Sequence, residues 1–235
     1  MDIHPIAHIR SGFPAKFGIP RQSGLVEGLE AVVVMEPEYR IREAFRGLEA
    51  FSHVWLLWEF SGSLREGWSP TVRPPRLGGN ARMGVFATRS PFRPNPIGLS
   101  SVALNRVELE SPLGPLLHVS GADLMDGTPI YDIKPYLPFT DSHPDAEGGF
   151  AAERLAQRLD VEIPDEWLDR IPLSCREPVR EMLAQDPRPS YHRDASRRYG
   201  FVYAGLEIRF RVEEGTAVVE EVLPAGDETG KNSEQ

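Results

Sequence analysis

Glycine and proline recur so often in this chain that long helices are excluded over most of its first part. The 235 residues include 21 glycines and 22 prolines, and proline ends helices and interior strands because it fixes φ and lacks a backbone donor. Short apolar segments separated in this way are typical of an all-β barrel or sandwich. The predicted strands before residue 140 are Ile6–Ile9, Ala31–Met35, His53–Phe60, Met83–Thr88, Ser101–Glu110, Leu116–Ala122 and Ile130–Ile133.

One helix is expected to interrupt these strands, over Pro37–Leu48. It begins with a proline, which the first helical position tolerates, and Ile41, Phe45 and Leu48 recur at a helical period. The stretch Gly67–Asn80 holds three prolines and a glycine pair. It is expected to be a long loop, and long ordered loops are more often functional than not.

The character of the chain changes after Tyr136. A polar run at residues 140–149 is typical of a linker, and helices are predicted at Ala151–Leu159 and Glu177–Ala184. The last predicted strands are Phe201–Ala204, Leu206–Val212 and Ala217–Val222. We therefore predict a mainly β protein, with an N-terminal β-barrel domain at 1–140, a linker and helix at 141–165, a small C-terminal α+β domain at 166–224 and a flexible tail at 225–235.

Charge is distributed unevenly. The net charge is −9, yet residues 1–140 contain 14 basic and 14 acidic residues, so the whole excess lies downstream. Residues 67–107 carry six arginines and no acidic residue. Such a segment can meet phosphates, because the guanidinium fork pairs with phosphate oxygens. Arginines paired with carboxylates from elsewhere in the fold are the alternative.

Several common sites have no counterpart in the sequence. There is no Gly-x-Gly-x-x-Gly between a strand and a helix and no phosphate-binding P-loop, so neither dinucleotide nor P-loop nucleotide binding is predicted. There is also no Gly-x-Ser-x-Gly turn, so a hydrolase of that type would lack its nucleophile. A single cysteine, Cys175, and six scattered histidines give no metal-ligand spacing. Apolar runs are far shorter than the roughly 20 residues of a membrane helix, and no secretory signal is seen. We expect a cytoplasmic protein without a metal.

Segments that combine charge with a stiff backbone are the candidate binding loops. The strip 88–98 has three prolines within six residues, which hold Arg89, Arg93 and Asn95 in set directions. Alternatively, this stiff loop has no binding role and only caps the barrel. The other segments are Pro20-Arg21-Gln22, the arginine pair Arg73 and Arg76, Asp123 to Pro129 followed by Asp132, Lys134 and Tyr136, and Asp186 to Tyr191. Within Asp123 to Pro129, the pair Asp126-Gly127 is a strong turn signal, so Asp126 could form a turn and have no role in binding a ligand.

Several strings, in their order along the chain, resemble the bacterial TsaA-like family of tRNA methyltransferases: Pro20-Arg21-Gln22, Arg46 to His53, Arg73 to Gly98, Asp126 to Pro129, Asp132 to Tyr136 and Asp186 to Pro189. The resemblance extends to about residue 223. It implies a β-barrel N-terminal domain, a small C-terminal domain, a homodimer, and S-adenosyl-L-methionine bound near the dimer interface. That cofactor site would be made of loops, consistent with the missing glycine fingerprint.

The resemblance also implies particular site residues. The cofactor contacts would fall on Pro20, Arg21, Gln22, Arg89, Leu99, Asp123, Leu124, Met125 and Asp126. Ser61 and Gly62 occupy another family contact site, where relatives are expected to have a His-Gln pair. This departure suggests that the two residues contact the cofactor through their backbone.

The reaction implied is methyl transfer to N6 of threonylcarbamoyladenosine beside the anticodon of tRNA. We expect Asn95, Asp132, Lys134 and Tyr136 to line the acceptor site, with Asp132 or Tyr136 as the proton acceptor. The anticodon loop would be held by Arg73, Arg76, Arg93, Arg188 and Tyr191, with the aromatic and arginine side chains stacking on bases. The alternative is a non-catalytic RNA-binding or regulatory module that uses the same basic loops.

Overall fold

Six strands close into a barrel that forms the N-terminal part of the protein. The computed structural model describes residues 2–63, 67–74, 81–154, 158–188 and 197–226. The barrel strands are β1 (Ala7–Ser11), β2 (Glu30–Met35), β3 (His53–Glu59), β6 (Ile97–Glu108), β7 (Leu116–Ser120) and β8 (Pro129–Pro135). They pair antiparallel in the order β1-β2-β7-β6-β3-β8, and β8 returns to β1 to close the sheet. Closure removes unpaired strand edges.

Alternation of side chains along each strand produces the barrel core. On β3, Val54, Leu56 and Trp58 are buried while their neighbours point outward, as expected where successive strand residues face opposite sides of a sheet. These three pack with Ile9, Val33, Val102, Leu117 and Ile130 from the other strands.

A smaller four-stranded sheet forms the C-terminal part. Its strands are β9 (Asp160–Glu162), β10 (Tyr199–Tyr203), β11 (Leu206–Glu213) and β12 (Thr216–Pro224), in the order β10-β11-β12-β9. β9 lies parallel to β12, whereas the other pairs are antiparallel. The accompanying helices are α2 (Asp165–Leu168) and α3 (Leu173–Ala184), and a further helix, α1 (Pro138–Asp141), follows the barrel.

The long connection between β1 and β2 joins the two parts. Phe13, Val26 and Leu29 from this connection are buried in the core of the C-terminal sheet. Phe13 lies against Tyr203, with ring centroids 5.0 Å apart. A Cβ at Gly18, whose φ is +96°, would come within 2.6 Å of Phe201, so only glycine fits this approach. The C-terminal part thereby fixes the loop that follows β1.

The fold class predicted from the sequence is confirmed, but three local predictions are wrong. Residues 37–48 form no α-helix; they form short 3-10 helices at Pro37–Tyr39 and Arg42–Phe45, and a third at Leu48–Ala50 follows. The predicted strand Met83–Thr88 is limited to β5 (Met83–Gly84), which pairs with β4 (Thr71–Val72) inside the predicted loop. Of the α-helix expected at Ala151–Leu159, the part described before residue 155 belongs to a 3-10 helix at Gly149–Arg154, and residues 155–157 lie outside the described residues. The predicted tail lies outside them beyond residue 226.

Two kinds of feature are absent from the part of the chain that the structure describes. No helix there is long and apolar enough to cross a membrane. No group of three or more potential metal ligands was found within the same ranges.

Candidate active site

A cavity of about 450 Å³ opens at one end of the barrel. Its walls come from the β1–β2 connection, the end of β3 with the following turn, the strip 88–93, the start of β6 and the segment after β7. The described residues that line it include Lys16, Ile19, Pro20, Arg21, Gln22, Trp58, Glu59, Ser61, Gly62, Thr88, Arg89, Arg93, Ile97, Leu99, Asp123 and Met125. The site is therefore made from five separate segments of the chain.

The strip 88–93 is held by side-chain hydrogen bonds as well as by prolines. The Thr88 hydroxyl donates to the carbonyl of Val85 at 2.9 Å and accepts from the backbone N–H of Ser90 at 3.2 Å. Arg93 Nη1 donates to the Thr88 carbonyl at 3.0 Å. Hydroxyl side chains commonly stabilise turns in this manner. The strip is thus a fixed wall from which Arg89 projects.

A buried hydrogen-bonded chain supports the floor of the cavity. Trp58 Nε1 donates to Ser100 Oγ at 2.9 Å, and the Ser100 hydroxyl donates to Asp123 Oδ1 at 2.6 Å. Burial raises the pKa of Asp123 above its ordinary value, and the hydrogen bond from Ser100 and the charge of Arg89 act in the opposite direction. Asp123 is therefore a half-buried carboxylate aimed into a site that is otherwise rich in cations.

Glu59 is the second carboxylate on the lining, and it has a different partner. The Tyr131 hydroxyl donates to Glu59 Oε1 at 2.6 Å, and burial together with Glu59 raises the pKa of Tyr131 to about 12. Glu59 thus accepts a hydrogen bond from a phenol, whereas Asp123 accepts one from Ser100 and is influenced by the charge of Arg89.

Arginines and glutamine form one wall of the cavity. Arg89 Nη1 donates to Gln22 Oε1 at 2.5 Å, and Gln22 Nε2 donates to the carbonyl of Arg21, also at 2.5 Å. Arg21 Nη2 donates to the carbonyl of Arg188 at 3.1 Å. This chain of contacts connects the strip, the β1–β2 connection and the C-terminal part, so the wall depends on both parts of the protein.

Nine of the eleven residues predicted to bind the cofactor line this cavity. They are Pro20, Arg21, Gln22, Ser61, Gly62, Arg89, Leu99, Asp123 and Met125. Leu124 instead places its side chain in the barrel core. Asp126 faces β1, where its Oδ1 accepts from the backbone N–H of Ser11 at 3.0 Å.

The residues predicted for the acceptor site lie outside the cavity lining. Asp132 and Lys134 form an ion pair of 2.7 Å on the outer face of β8, and Tyr136 packs on Trp55 with ring centroids 5.5 Å apart. Asn95 is exposed at the turn before β6. Register nevertheless connects this face to the cavity. Leu57 is paired with both Leu99 and Asp132, so the latter two are two strand spacings apart, about 10 Å.

The residues predicted to bind RNA are dispersed. Arg93 lines the cavity, and Arg73 lines a second one beside it. Arg188 is paired with Asp186, with Nε and Oδ1 2.7 Å apart, and this hydrogen bond raises the pKa of Arg188. Arg76 and Tyr191 lie outside the described residues.

Sequence reasoning missed Lys16, Trp58 and Ser100. Lys16 Nζ donates to Ser63 Oγ at 3.0 Å and closes one side of the cavity. Lys16 lies a few residues before Pro20, so its place near the site could have been predicted from the sequence. The role of Ser100 could not, because the role of a serine within a strand becomes clear only when its neighbours in space are known.

Fold and site together define a class of protein: a β-barrel with a small-molecule site walled by arginines on proline-braced loops, joined to a small α+β part. A family model for the tRNA-methyltransferase O N-terminal domain matches residues 8–142, and one for the TrmO C-terminal domain matches residues 156–225. The chain belongs to the tRNA-methyltransferase O family, which confirms the resemblance seen in the sequence.

Individual relatives agree with this membership. A tRNA (adenine(37)-N6)-methyltransferase of Escherichia coli (strain K12) is 46% identical over 215 residues, which cover 88% of this chain and 91% of that protein. One of the same name from Eikenella corrodens is 48% identical and covers 74% of this chain and 98% of its own length. A crystal structure of TrmO from Pseudomonas aeruginosa superposes with a TM-score of 0.76 at 35% identity, covering 95% of this chain and 97% of that one.

Proposed function

We propose that this protein transfers the methyl group of S-adenosyl-L-methionine to N6 of adenine 37 in tRNA, and that its acceptor is threonylcarbamoyladenosine. The single observation that carries the proposal is a donor-sized cavity whose wall of arginines also borders a second, arginine-rich groove. Support comes from the family and from the names of the relatives, which include a Pseudomonas aeruginosa protein, RcsF, named for S-adenosylmethionine-dependent methyl transfer. A tRNA substrate would place the protein in the cytoplasm.

The cavity residues fit the chemical groups of the donor. S-adenosylmethionine supplies a methyl group activated by a sulfonium. Its carboxylate would meet Arg89 and Lys16, and its flat adenine would lie against the apolar side chains of Leu99, Ile97 and Met125. Asp123 would face the positively charged part of the donor, which favours the ionised form of a carboxyl whose burial opposes ionisation. Leu124 and Asp126 would contribute only through their backbone.

The acceptor nitrogen has to be aligned and its proton removed. The N6 lone pair is delocalised into the ring and the carbamoyl group, so N6 is a weak nucleophile, and holding it in line with the methyl group supplies much of the acceleration. We keep Asn95, Asp132, Lys134 and Tyr136 as the proposed acceptor residues, with Asp132 or Tyr136 as the proton acceptor. Leu99 and Asp132 lie about 10 Å apart across β3, a distance that a base could span between the cavity and the outer face of β8.

A homodimer is part of the proposal. Ile97 and Leu99 are 37% and 47% exposed at the rim of the cavity, where a second copy would shield the donor from water. The two family-model matches, at residues 8–142 and 156–225, also support a division into an N-terminal and a C-terminal domain. Because β9 (Asp160–Glu162) pairs with β12, we place the start of the C-terminal domain before β9 and not at the expected residue 166. Arg73, Arg93 and Arg188, with Arg76 and Tyr191, would hold the anticodon loop.

Methyl transfer can be tested with purified protein. tRNA that carries threonylcarbamoyladenosine at position 37 is incubated with isotopically methyl-labelled S-adenosylmethionine, and its nucleosides are analysed by mass spectrometry. The proposal predicts label on N6 of that nucleoside. The non-catalytic alternative predicts salt-dependent tRNA binding without saturable donor binding in a calorimetric titration. No label despite tight binding of both ligands would contradict the proposed function.

A further inference from the structure

A second cavity, of about 1230 Å³, lies next to the donor cavity and shares a wall with it. The shared residues are Arg21, Gln22, Thr88, Arg89 and Pro91. The contact between Arg89 and Gln22 is therefore a partition with the donor cavity on one side and this groove on the other. A molecule in the groove would lie beside the donor cavity, on the other side of this partition.

The charge of the groove is opposite to that of the whole protein. Its described lining contains four arginines, Arg21, Arg73, Arg82 and Arg89, and no aspartate or glutamate, although the chain has a net charge of −9. Arg73 and Arg82 are both exposed. This composition fits a polyanion, since arginine binds phosphate oxygens bidentately and releases counterions from nucleic acid.

An exposed pair of aromatic rings lies at the edge of the groove. Trp68 and Phe86 stack with centroids 6.3 Å apart and planes 25° apart. They remain 50% and 74% exposed, respectively. Burying large aromatic surface is strongly favourable in water, so a stacked pair left in solvent marks a surface made for a flat partner.

The rings are held in place by the backbone. Trp68 precedes β4 and Phe86 follows β5, and the pairing of Thr71 with Gly84 brings the two ends of this ribbon together. The backbone N–H of Ser69 donates to the carbonyl of Phe92 at 3.2 Å, and the N–H of Val85 donates to that of Pro70 at 3.0 Å. The ribbon is thereby tied to the strip 88–93. Stacking on these rings would thus cost little ordering of the protein.

We infer that Trp68 and Phe86 form a stacking platform for an unpaired base of the RNA acceptor, and that Arg73 and Arg82 hold the phosphates on either side of that base. Aromatic rings beside arginines are the usual means by which proteins hold single-stranded RNA, because every base has a face that can stack. The inference rests on the proposed function only in taking the RNA to be the acceptor. The stacked base would be a neighbour of the target base, since the partition separates the groove from the donor.

The platform is tested by binding a fluorescent tRNA anticodon stem-loop to the full chain. Phe86→Ala is expected to weaken RNA binding about tenfold, with no change in the slope of log K against log salt concentration. Phe86→Tyr keeps a ring and is expected to bind as the parent does. Leu173→Ala, which removes another exposed apolar side chain, 81% exposed at the start of α3, is the matched control and should have no effect.

The phosphate contacts give a different signature. Arg82→Gln is expected to reduce the salt slope by about 0.7, the value for one phosphate of a single strand. Arg10→Gln, at an exposed arginine on β1, should leave the slope unchanged. Calorimetry should give the parent's affinity for S-adenosylmethionine in every variant.

The outcomes separate the platform from the enzymatic proposal. Weakened RNA binding by Phe86→Ala supports the platform even if no methyl transfer is found. Unchanged RNA binding by Phe86→Ala, or an equal loss in Leu173→Ala, overturns it, whether or not adenine 37 is methylated.

Discussion

The hydroxyl of Ser100 donates a 2.6 Å hydrogen bond to the carboxylate of Asp123. Ser100 is 1% exposed, so water does not compete for this bond, and its oxygen also accepts from Trp58 Nε1. Asp123 is consequently fixed in direction on a cavity floor where its ionised form is disfavoured by burial. A carboxylate in such a position is useful to a cationic ligand and unfavourable for the empty protein.

Asp123→Asn is expected to stabilise the protein at neutral pH while weakening donor binding. The pKa of Asp123 is raised in the folded protein, so the folded state keeps this proton to a higher pH than the unfolded chain does. The free energy of unfolding therefore falls as pH rises from the ordinary pKa of 3.8 toward the raised pKa of Asp123 in the folded protein. Urea unfolding as a function of pH should show that the advantage of Asp123→Asn appears in that window and is absent below it.

The matched control for this prediction is Asp145→Asn, at an exposed aspartate. It should show no such pH-dependent gain in stability. A destabilised Asp123→Asn protein that still binds S-adenosylmethionine normally would contradict the assigned role, because the carboxylate would then serve the fold and not the donor.

Ser100→Ala is expected to shift the pH dependence of donor binding. The hydrogen bond from Ser100 lowers the pKa of Asp123, so its loss raises that pKa further. If the donor requires ionised Asp123, donor affinity is lost as pH falls through the pKa, and the midpoint moves to higher pH in the variant. Calorimetric titration over a pH series measures the shift. An unchanged midpoint would show that Asp123 does not set donor affinity.

Gly98→Ala should damage the cavity floor. A Cβ at Gly98 would overlap the indole of Trp58, and forcing atoms into a packed core typically costs about 1–3 kcal/mol. We expect a loss of that size in the free energy of unfolding and weaker donor binding. Gly84→Ala is the control, since a Cβ there meets nothing within 4 Å and φ is −58°. Equal stability of the two variants would contradict the packing described for Trp58.

Asn95→Ala and Asp132→Ala test the acceptor assignment. Each is expected to lower the single-turnover rate of methyl transfer, because alignment and proton removal at N6 would be impaired, and to leave donor affinity unchanged because neither residue lines the donor cavity. Rapid-quench measurement with saturating donor and tRNA gives the rate. Parent-like rates in both variants would remove these residues from the acceptor site.

The strands were predictable because their signal is local. On β3, buried Val54 and Leu56 alternate with outward residues, and this period of two is visible in the sequence alone. The segment at 37–48 misled for the opposite reason. Ile41, Phe45 and Leu48 satisfied a helical period, yet Ile41 is 56% exposed, and Gly47, with φ of +86°, separates two short 3-10 helices.

The loops of the site were also predictable, but the partners of their side chains were not. The prolines around Arg89 and Arg93 predict a stiff strip from the sequence alone. That Arg89 contacts Gln22, 67 residues away in sequence, depends on the closed barrel and the docked C-terminal part. The same holds for Ser100 and Asp123, which lie on different segments and meet only at the cavity floor.

A crystal structure of the protein soaked with S-adenosylmethionine at saturating concentration tests the proposed donor site most directly. We expect density for the donor in the 450 Å³ cavity, with its carboxylate toward Arg89 and its positively charged part toward Asp123. Density for the donor anywhere away from these two residues would contradict it.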